Sequence, residues 1–555
     1  MSASTKKKLR KEQNFAQLTE KQLNEQKEAK KLKINTIIFT VVILAILAVG
    51  IVSIALGAFN NSGIVERNTA ALTVGEHKLT AAELNYFYMD GVNSFINEWY
   101  ENYGDYATTY LMFMTGLDVT KPLDEQMYDD ERTFADYFTD AAVNSAISAY
   151  AAYDLAVAAG EDAHALEGDA MDMTMANVDL AALQNGFTGT KEYLKAMYGN
   201  GAQEDTFRKY MEVITVSNHY LQHVFEDFKY SVGDLEAYSN EHFDDFSSFS
   251  YATFTLNPTT FINCTASEDD KEHTHSDEEK AQGLADAKAA AEALLAAAPT
   301  DAESFNAAIK ALEAYADSET AACSEVNNLL FPQVTNTKIA EWLNADDRKA
   351  GDVTLITNET TSTGEDGKET TNVTSYTVVL MVERNDNNME LVNVRHILKS
   401  YEGGTKDEAG NVTYSDAEKK AAVEAVEALE KNFKDSDGSA EAFGHLATLN
   451  STDPGSASNG GLYENVYPGQ MVPEFNDWCF DAARKPGDTG IVETTYGAHL
   501  MYFVGTTGTT YRNYMIENTM RNEDYNEWFT DMTENAAHEV INTSKLNRDL
   551  ILSGV

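Results

Sequence analysis

A chain of 555 residues with 41 basic and 89 acidic side chains carries a formal net charge of −48, and its length predicts three or four domains. A 43% hydrophobic and 10% aromatic composition is ample for packed cores and excludes global disorder. So acidic a surface argues against a nucleic-acid partner, because it repels a phosphate backbone. The charge is unevenly placed: residues 1–33 hold ten Lys/Arg against four Asp/Glu, a net +6, which leaves −54 on the remainder.

Ile34–Ala58 is almost wholly apolar, and no charged residue occurs between Lys33 and Glu66. Such a run is long enough to cross a hydrocarbon core of about 30 Å as a helix. The basic leader and the apolar run are both too long for a cleaved signal, and no Cys follows the run to take a lipid. The lysines around Lys6–Lys8 and Lys30–Lys33 predict a cytoplasmic segment 1–33 and a transmembrane helix 34–58, with the bulk of the chain outside the cell. Three cysteines, Cys264, Cys323 and Cys479, cannot staple an exported chain of this size and read as buried small hydrophobes.

Residues 66–245 read as a helical, chaperone-like domain. Thr80-Ala-Ala-Glu83 is a capping box, in which the Thr hydroxyl and the Glu carboxylate satisfy each other's backbone N–H groups. Tyr86, Phe87, Tyr88, Phe95, Trp99, Tyr103, Tyr106, Tyr110, Met112, Phe113 and Met114 follow. They fit either an ordinary helix core or an adaptable apolar cradle for unfolded polypeptide.

The next two segments, 246–386 and 390–506, are related by an internal repeat. Glu341-Trp-Leu-Asn-Ala-Asp-Asp-Arg-Lys-Ala-Gly-Asp352 matches Asp477-Trp-Cys-Phe-Asp-Ala-Ala-Arg-Lys-Pro-Gly-Asp488, and Ser276–Lys280 matches Ser415–Lys419. Tyr251–Leu256 aligns with Asn393–Leu398, and Val378–Val382 with Ala498–Tyr502. Each unit reads strand, polar insert, long helix, short helices, Gly-Asp turn and final strand. Thr357–Thr371 reads as a polar hairpin excursion within the first unit. The tail, 511–555, is expected to be helical, with Tyr525, Trp528, Phe529 and Met532 on one face packed on the aromatic N-terminal region. The expected fold class is α+β.

Four of the eight prolines, Pro454, Pro468, Pro473 and Pro486, fall in the second unit. That unit contains Val394-Arg-His-Ile-Leu398, Asp453-Pro-Gly-Ser456, Asn459-Gly-Gly461, Gly469-Gln-Met-Val-Pro-Glu-Phe475, Pro486-Gly-Asp488 and Thr494-Thr-Tyr-Gly-Ala-His499. This order of motifs, over about Asn393 to Gly505, resembles the parvulin-type peptidyl-prolyl cis-trans isomerases. A helical region before and a closing helix after resemble the extracytoplasmic foldases of the PrsA and SurA type. The resemblance implies two tandem parvulin-like domains and a catalytic group of His396, Asp453 and His499. It also implies a substrate pocket from Met471, Phe475, Gln470 and Tyr496. Rotation about a prolyl bond makes and breaks no covalent bond, so no cofactor or metal is expected. The histidine pair fits either acid–base work or a structural role. Gly460-Gly-Leu-Tyr-Glu-Asn-Val466 departs from the family's usual run and is expected to alter one pocket wall, and Ala498 to leave less bulk near His499.

In the first unit the alignment puts Phe254 where His396 stands and Val379 where His499 stands, so it reads as a degenerate copy. His273-Thr-His275 reads as part of a solvated acidic loop rather than a metal site, and His219 and His223, one helical turn apart, lack the Glu of a zinc-protease helix. The chain is thus expected to be a membrane-anchored extracytoplasmic isomerase and chaperone of a Gram-positive-type bacterium, acting on unfolded or newly secreted polypeptides. The alternatives are an isomerase-inactive holdase and a non-enzymatic cell-surface interaction protein.

Overall fold

The computed structural model describes residues 62–160, 169–262, 275–363, 368–407, 410–546 and 548. The expected membrane span 34–58, Cys264 and His273 lie outside them. Among the described residues no helix is long and apolar enough to cross a membrane. The described residues form two compact units, 62–228 with 524–548, and Lys229–Glu523.

The first unit is built on the helices Ala81–Tyr103, Phe134–Ala159 and Glu204–Asp227, whose apolar faces meet in a core around Tyr86, Tyr88, Phe134, Phe138 and Val213. The capping box forms as expected: Glu83 N–H donates to Thr80 Oγ1 (3.3 Å) and Thr80 N–H to Glu83 Oε2 (2.8 Å). The stretch before it is not helical. Ala70–Val74 and His77–Thr80 pair as an antiparallel hairpin whose turn contains Gly75 at φ +55°. Leu72, Val74 and Leu79 from this alternating pattern are buried in the core.

The tail is likewise only partly helical. The helix Tyr511–Glu534 ends, and His538–Val540 returns as a third strand beside Ala70–Val74. Within this unit Tyr525 lies 5.4 Å from Phe225 and Trp528 6.4 Å from Tyr220, ring to ring, so the expected face is the one that packs.

The second unit holds two four-stranded antiparallel sheets of the same order. Across the first run Ser324–Leu330, Ser248–Leu256, Glu369–Asn385 and Val353–Thr363. Across the second run Leu462–Val466, Glu390–Ser400, Gly497–Thr510 and Thr489–Thr494. In the second sheet the helices Asp416–Lys434 and Ala440–Asn450 bury Ile397, Leu500 and Tyr502 on one face, and Pro473–Cys479 covers Val394, Met501 and Phe503 on the other. The Thr357–Thr371 excursion is a continuation of the hairpin Val353–Thr363/Glu369–Asn385.

The ladders correct the alignment of the two sheets. Gly351 and Asp352 bracket Met381 through backbone bonds of 2.8 and 2.9 Å, as Gly487 and Asp488 bracket Phe503. Tyr251 lies opposite Met381, as Val394 lies opposite Phe503. Counting from these anchors, Thr253 occupies the position of His396 and Thr377 that of His499. Phe254 is one residue out of step and faces the helix-covered side, because side chains alternate along a strand. Val379 is two residues out of step and corresponds to Met501.

Candidate active site

The second sheet presents His396 and His499 from its two central, antiparallel strands onto the same face, and both are buried. Their rings stack at 5.3 Å between centroids, with Nδ1 to Nδ1 at 3.0 Å. On the outer side, His396 Nε2 lies 2.9 Å from Asp453 Oδ2 and 3.0 Å from Ser456 Oγ. On the inner side, His499 Nε2 lies 2.8 Å from Thr494 Oγ1.

The donors and acceptors fit one direction along this chain. Asp453 Oδ2 also accepts from Ser456 Oγ–H (2.5 Å) and Tyr463 O–H (3.0 Å). Burial opposes its ionisation, but the bonds from Ser456, His396 and Tyr463 outweigh that and hold the carboxyl down to about 2. The ionised carboxylate accepts a hydrogen bond from His396 Nε2–H, which leaves the unprotonated His396 Nδ1 as an acceptor for His499 Nδ1–H. His499 Nε2 then accepts from the Thr494 hydroxyl, which in turn accepts from Tyr496 N–H (3.1 Å). Burial depresses both imidazoles: His396 falls below its ordinary value despite Asp453, and His499 falls to about 4. Both rings are therefore neutral at pH 7.

The loop that delivers Asp453 and Ser456 depends on local turn chemistry. Gly460 and Gly461 sit at φ +66° and +70°, a region costly for residues with a Cβ. His396 N–H donates to Gly461 O at 2.8 Å, and a Cβ on Gly461 would lie 2.1 Å from the carbonyl oxygen of His396. Arg395 Nη1–H donates to the carbonyls of Gly460 (2.7 Å) and Asn459 (3.1 Å), fastening the loop to the strand.

In front of the histidines opens a cavity of about 500 Å³. Its lining includes His396, His499 and Asp453 together with Gln470, Met471, Phe475 and Tyr496, so all seven residues expected from sequence converge on one site. Phe475 is buried and contacts both histidines edge-on, at 5.4 and 5.6 Å between centroids. Pro473 starts the short helix that carries it.

Sequence reasoning passed over Ser456, Thr494 and Tyr463 as site residues, although each lies within a motif it had marked. Tyr463, from the run that departs from the family's usual one, lines the cavity. Ala498 does not touch the site: it points into the core with Ile397 and Leu500, on the sheet face opposite His499.

Cys479 is buried behind the site, and burial pushes its thiol up to about 12, an inert core residue. Cys323 is partly buried with its thiol likewise raised by burial. Among the described residues no group of three or more His, Cys, Asp or Glu is arranged to hold a metal.

An antiparallel sheet with paired central histidines, an adjoining Asp and an apolar pocket defines a parvulin-type domain. Residues 376–505 match the family model of the PPIC-type peptidyl-prolyl isomerase domain, so the chain carries a domain of that family, similar to those of the SurA and PrsA foldases. Chaperone SurA of Pseudomonas putida is 32% identical over 128 residues, 21% of this chain and 29% of that protein. Foldase protein PrsA 1 of Listeria innocua is 39% identical over 64 residues, 12% of this chain and 22% of that protein. The chain thus spans less than a third of the length of these curated relatives. Among solved structures, PrsA from Bacillus subtilis is 24% identical, covering 28% of this chain and 54% of that one, with a TM-score of 0.19. The match begins in the strand Glu369–Asn385, earlier than the sequence motifs suggested.

Proposed function

We propose that this chain is a peptidyl-prolyl cis-trans isomerase and chaperone for unfolded polypeptides, working outside the cell from a membrane anchor at 34–58. The observation that carries the isomerase reading is the hydrogen-bonded row of ionised Asp453, neutral His396 and His499, and Thr494 behind an apolar cavity.

A planar prolyl imide is stabilised by charge separation, with negative charge on oxygen and positive charge on nitrogen. Twisting the bond removes that resonance against a barrier of roughly 18–20 kcal/mol. Met471, Val472 and Phe475 offer the pyrrolidine ring an apolar seat. Seating it strips water from the imide and penalises the more polar planar form over the twisted one. Asp453, held ionised at the cavity wall, repels a planar carbonyl oxygen more than a twisted one, which bears less negative charge. The histidines act as positioning residues: they fix Asp453 and line the floor of the cavity without giving or taking a proton.

The first sheet, with Thr253 and Thr377 at the histidine positions, is read as a degenerate parvulin-like copy without activity. The anchor reading rests on the apolar run 34–58 and the basic segment before it. NMR exchange spectroscopy on an Ala-Pro peptide tests the isomerase reading. Cis-trans exchange should accelerate with the full extracytoplasmic chain and return to the uncatalysed rate with Asp453→Ala. No acceleration by the unaltered chain would leave the holdase alternative.

A further inference from the structure

The helix Ala107–Thr115 in the first unit carries no charged residue, and apart from Thr108, Thr109 and Thr115 it is built of Ala, Tyr, Leu, Met and Phe, side chains ordinarily buried. Here only Ala107 and Leu111, one turn apart, are buried and seat it on the unit. Tyr106, Tyr110, Phe113 and Met114 follow at helical spacing along an exposed face, with Phe113 82% exposed and Met114 64%. Tyr110 stacks on Tyr103 (4.6 Å) and Tyr103 on Trp99 (5.5 Å), extending this face onto the preceding helix as a ladder of rings. A contiguous apolar surface of this kind marks an interaction site.

Its charge surroundings choose among occupants. Residues 98–132 contain nine acidic side chains against Lys121 and Arg132. Both cations are already paired, Lys121 with Asp118 at 2.9 Å and Arg132 with Asp129 at 2.7 Å. A second copy of so acidic a chain, or an anionic lipid surface, would bring like charge to this rim. A polypeptide carrying apolar residues interspersed with lysine or arginine would bring the opposite charge.

We propose that the Trp99–Tyr103–Tyr110–Phe113–Met114 face is the docking surface for unfolded polypeptide, and that it selects apolar segments bearing basic residues. This rests on the chaperone part of the reading above and adds to it a location and a substrate class. Methionine and stacked aromatic rings repack around varied apolar side chains, while the acidic rim supplies the preference for cationic ones.

The test uses the full extracytoplasmic chain and two fluorescent peptides of equal Leu and Phe content, one carrying lysines and one glutamates. The lysine peptide should bind at least about tenfold more tightly than the glutamate peptide, with the difference shrinking as salt rises. Phe113→Ser with Met114→Ser should lose most lysine-peptide binding while leaving isomerisation of a proline tetrapeptide unchanged, since neither residue lines the cavity. Glu101→Gln with Asp105→Asn should narrow the gap between the peptides. If the unaltered chain binds the peptides and the Phe113/Met114 variant binds them equally well, the docking surface is wrong and the chaperone reading survives. If the unaltered chain binds neither peptide and does not slow aggregation of an unfolded protein, both fail. A dimer, or adhesion to phosphatidylcholine vesicles, that disappears in the Phe113/Met114 variant would assign the face to a second copy or to lipid and overturn the proposal.

Discussion

His396 Nδ1 and His499 Nδ1 face each other at 3.0 Å across the two central strands of the second sheet, and only one of them can carry a proton. Because the Asp453 carboxylate accepts a hydrogen bond from His396 Nε2–H, His396 Nδ1 is bare and the proton between the two Nδ1 atoms is carried by His499. The pair is therefore one link in a directed row of hydrogen bonds rather than two independent titrating groups.

Acid should unfold this sheet in two stages. Each imidazole has a folded-state pKa below its unfolded value of about 6.5, so between the two values the unfolded chain binds more protons. Stability is full above about pH 6.5 and falls progressively toward pH 4, by an amount on the order of 3 kcal/mol for His499 alone. Asp453, lowered to about 2, adds a second loss between roughly pH 4 and 2. Thermal melts across this range should show both steps, and His499→Gln should flatten the first.

Replacing both His396 and His499 by Ala should abolish isomerase activity of the whole chain. The first sheet has Thr253 and Thr377 at these positions, with Thr377 bonded to Thr255 (2.8 Å) and Asn358 (2.9 Å) instead of to a histidine. Substantial residual turnover in a protease-coupled proline-peptide assay would mean that the first sheet is active.

Asp453→Asn keeps the shape of the loop but removes the charge. It should lower kcat by about tenfold or more with little change in KM, because the charge acts on the twisted bond rather than on binding. Tyr463→Phe removes only one of the donors to the carboxylate and should cost less than about threefold. Equal kcat for Asp453→Asn and the unaltered chain would show that the carboxylate takes no part.

The two pocket residues should separate binding from stability. Met471 is partly buried, so Met471→Ala should raise KM with little change in melting temperature. Phe475 is buried among Val394, Met501 and Cys479, and Phe475→Ala should cost about 3–5 kcal/mol besides its effect on KM. Urea unfolding alongside steady-state kinetics distinguishes the two.

Gly461→Ala should destabilise the second sheet severely while sparing the first unit, because the new Cβ would collide with the backbone of His396. Hydrogen exchange should show lost protection over residues 390–506 and retained protection over 81–159.

What the sequence determined by itself was local in origin. Capping boxes at Thr80, Ser276 and Ser415 announce three helix starts because the residues that satisfy the free backbone groups are three positions apart. Asp453-Pro-Gly, Gly460-Gly461 and Pro473 likewise fix turns through their own backbone preferences, and the motifs they frame contain four of the seven expected site residues, Asp453, Gln470, Met471 and Phe475.

The tertiary structure decided what depends on partners distant in sequence. The hairpin Ala70–Thr80 gains His538–Val540 as a third strand on its far edge, a pairing no local pattern announces. Ala498, expected from its place in the sequence to leave less bulk near His499, lies on the opposite face of the sheet because side chains alternate along the strand. The same alternation put Thr253, not Phe254, in the place of His396: a single residue of register reverses the face, and register is set by the ladder between strands more than a hundred residues apart.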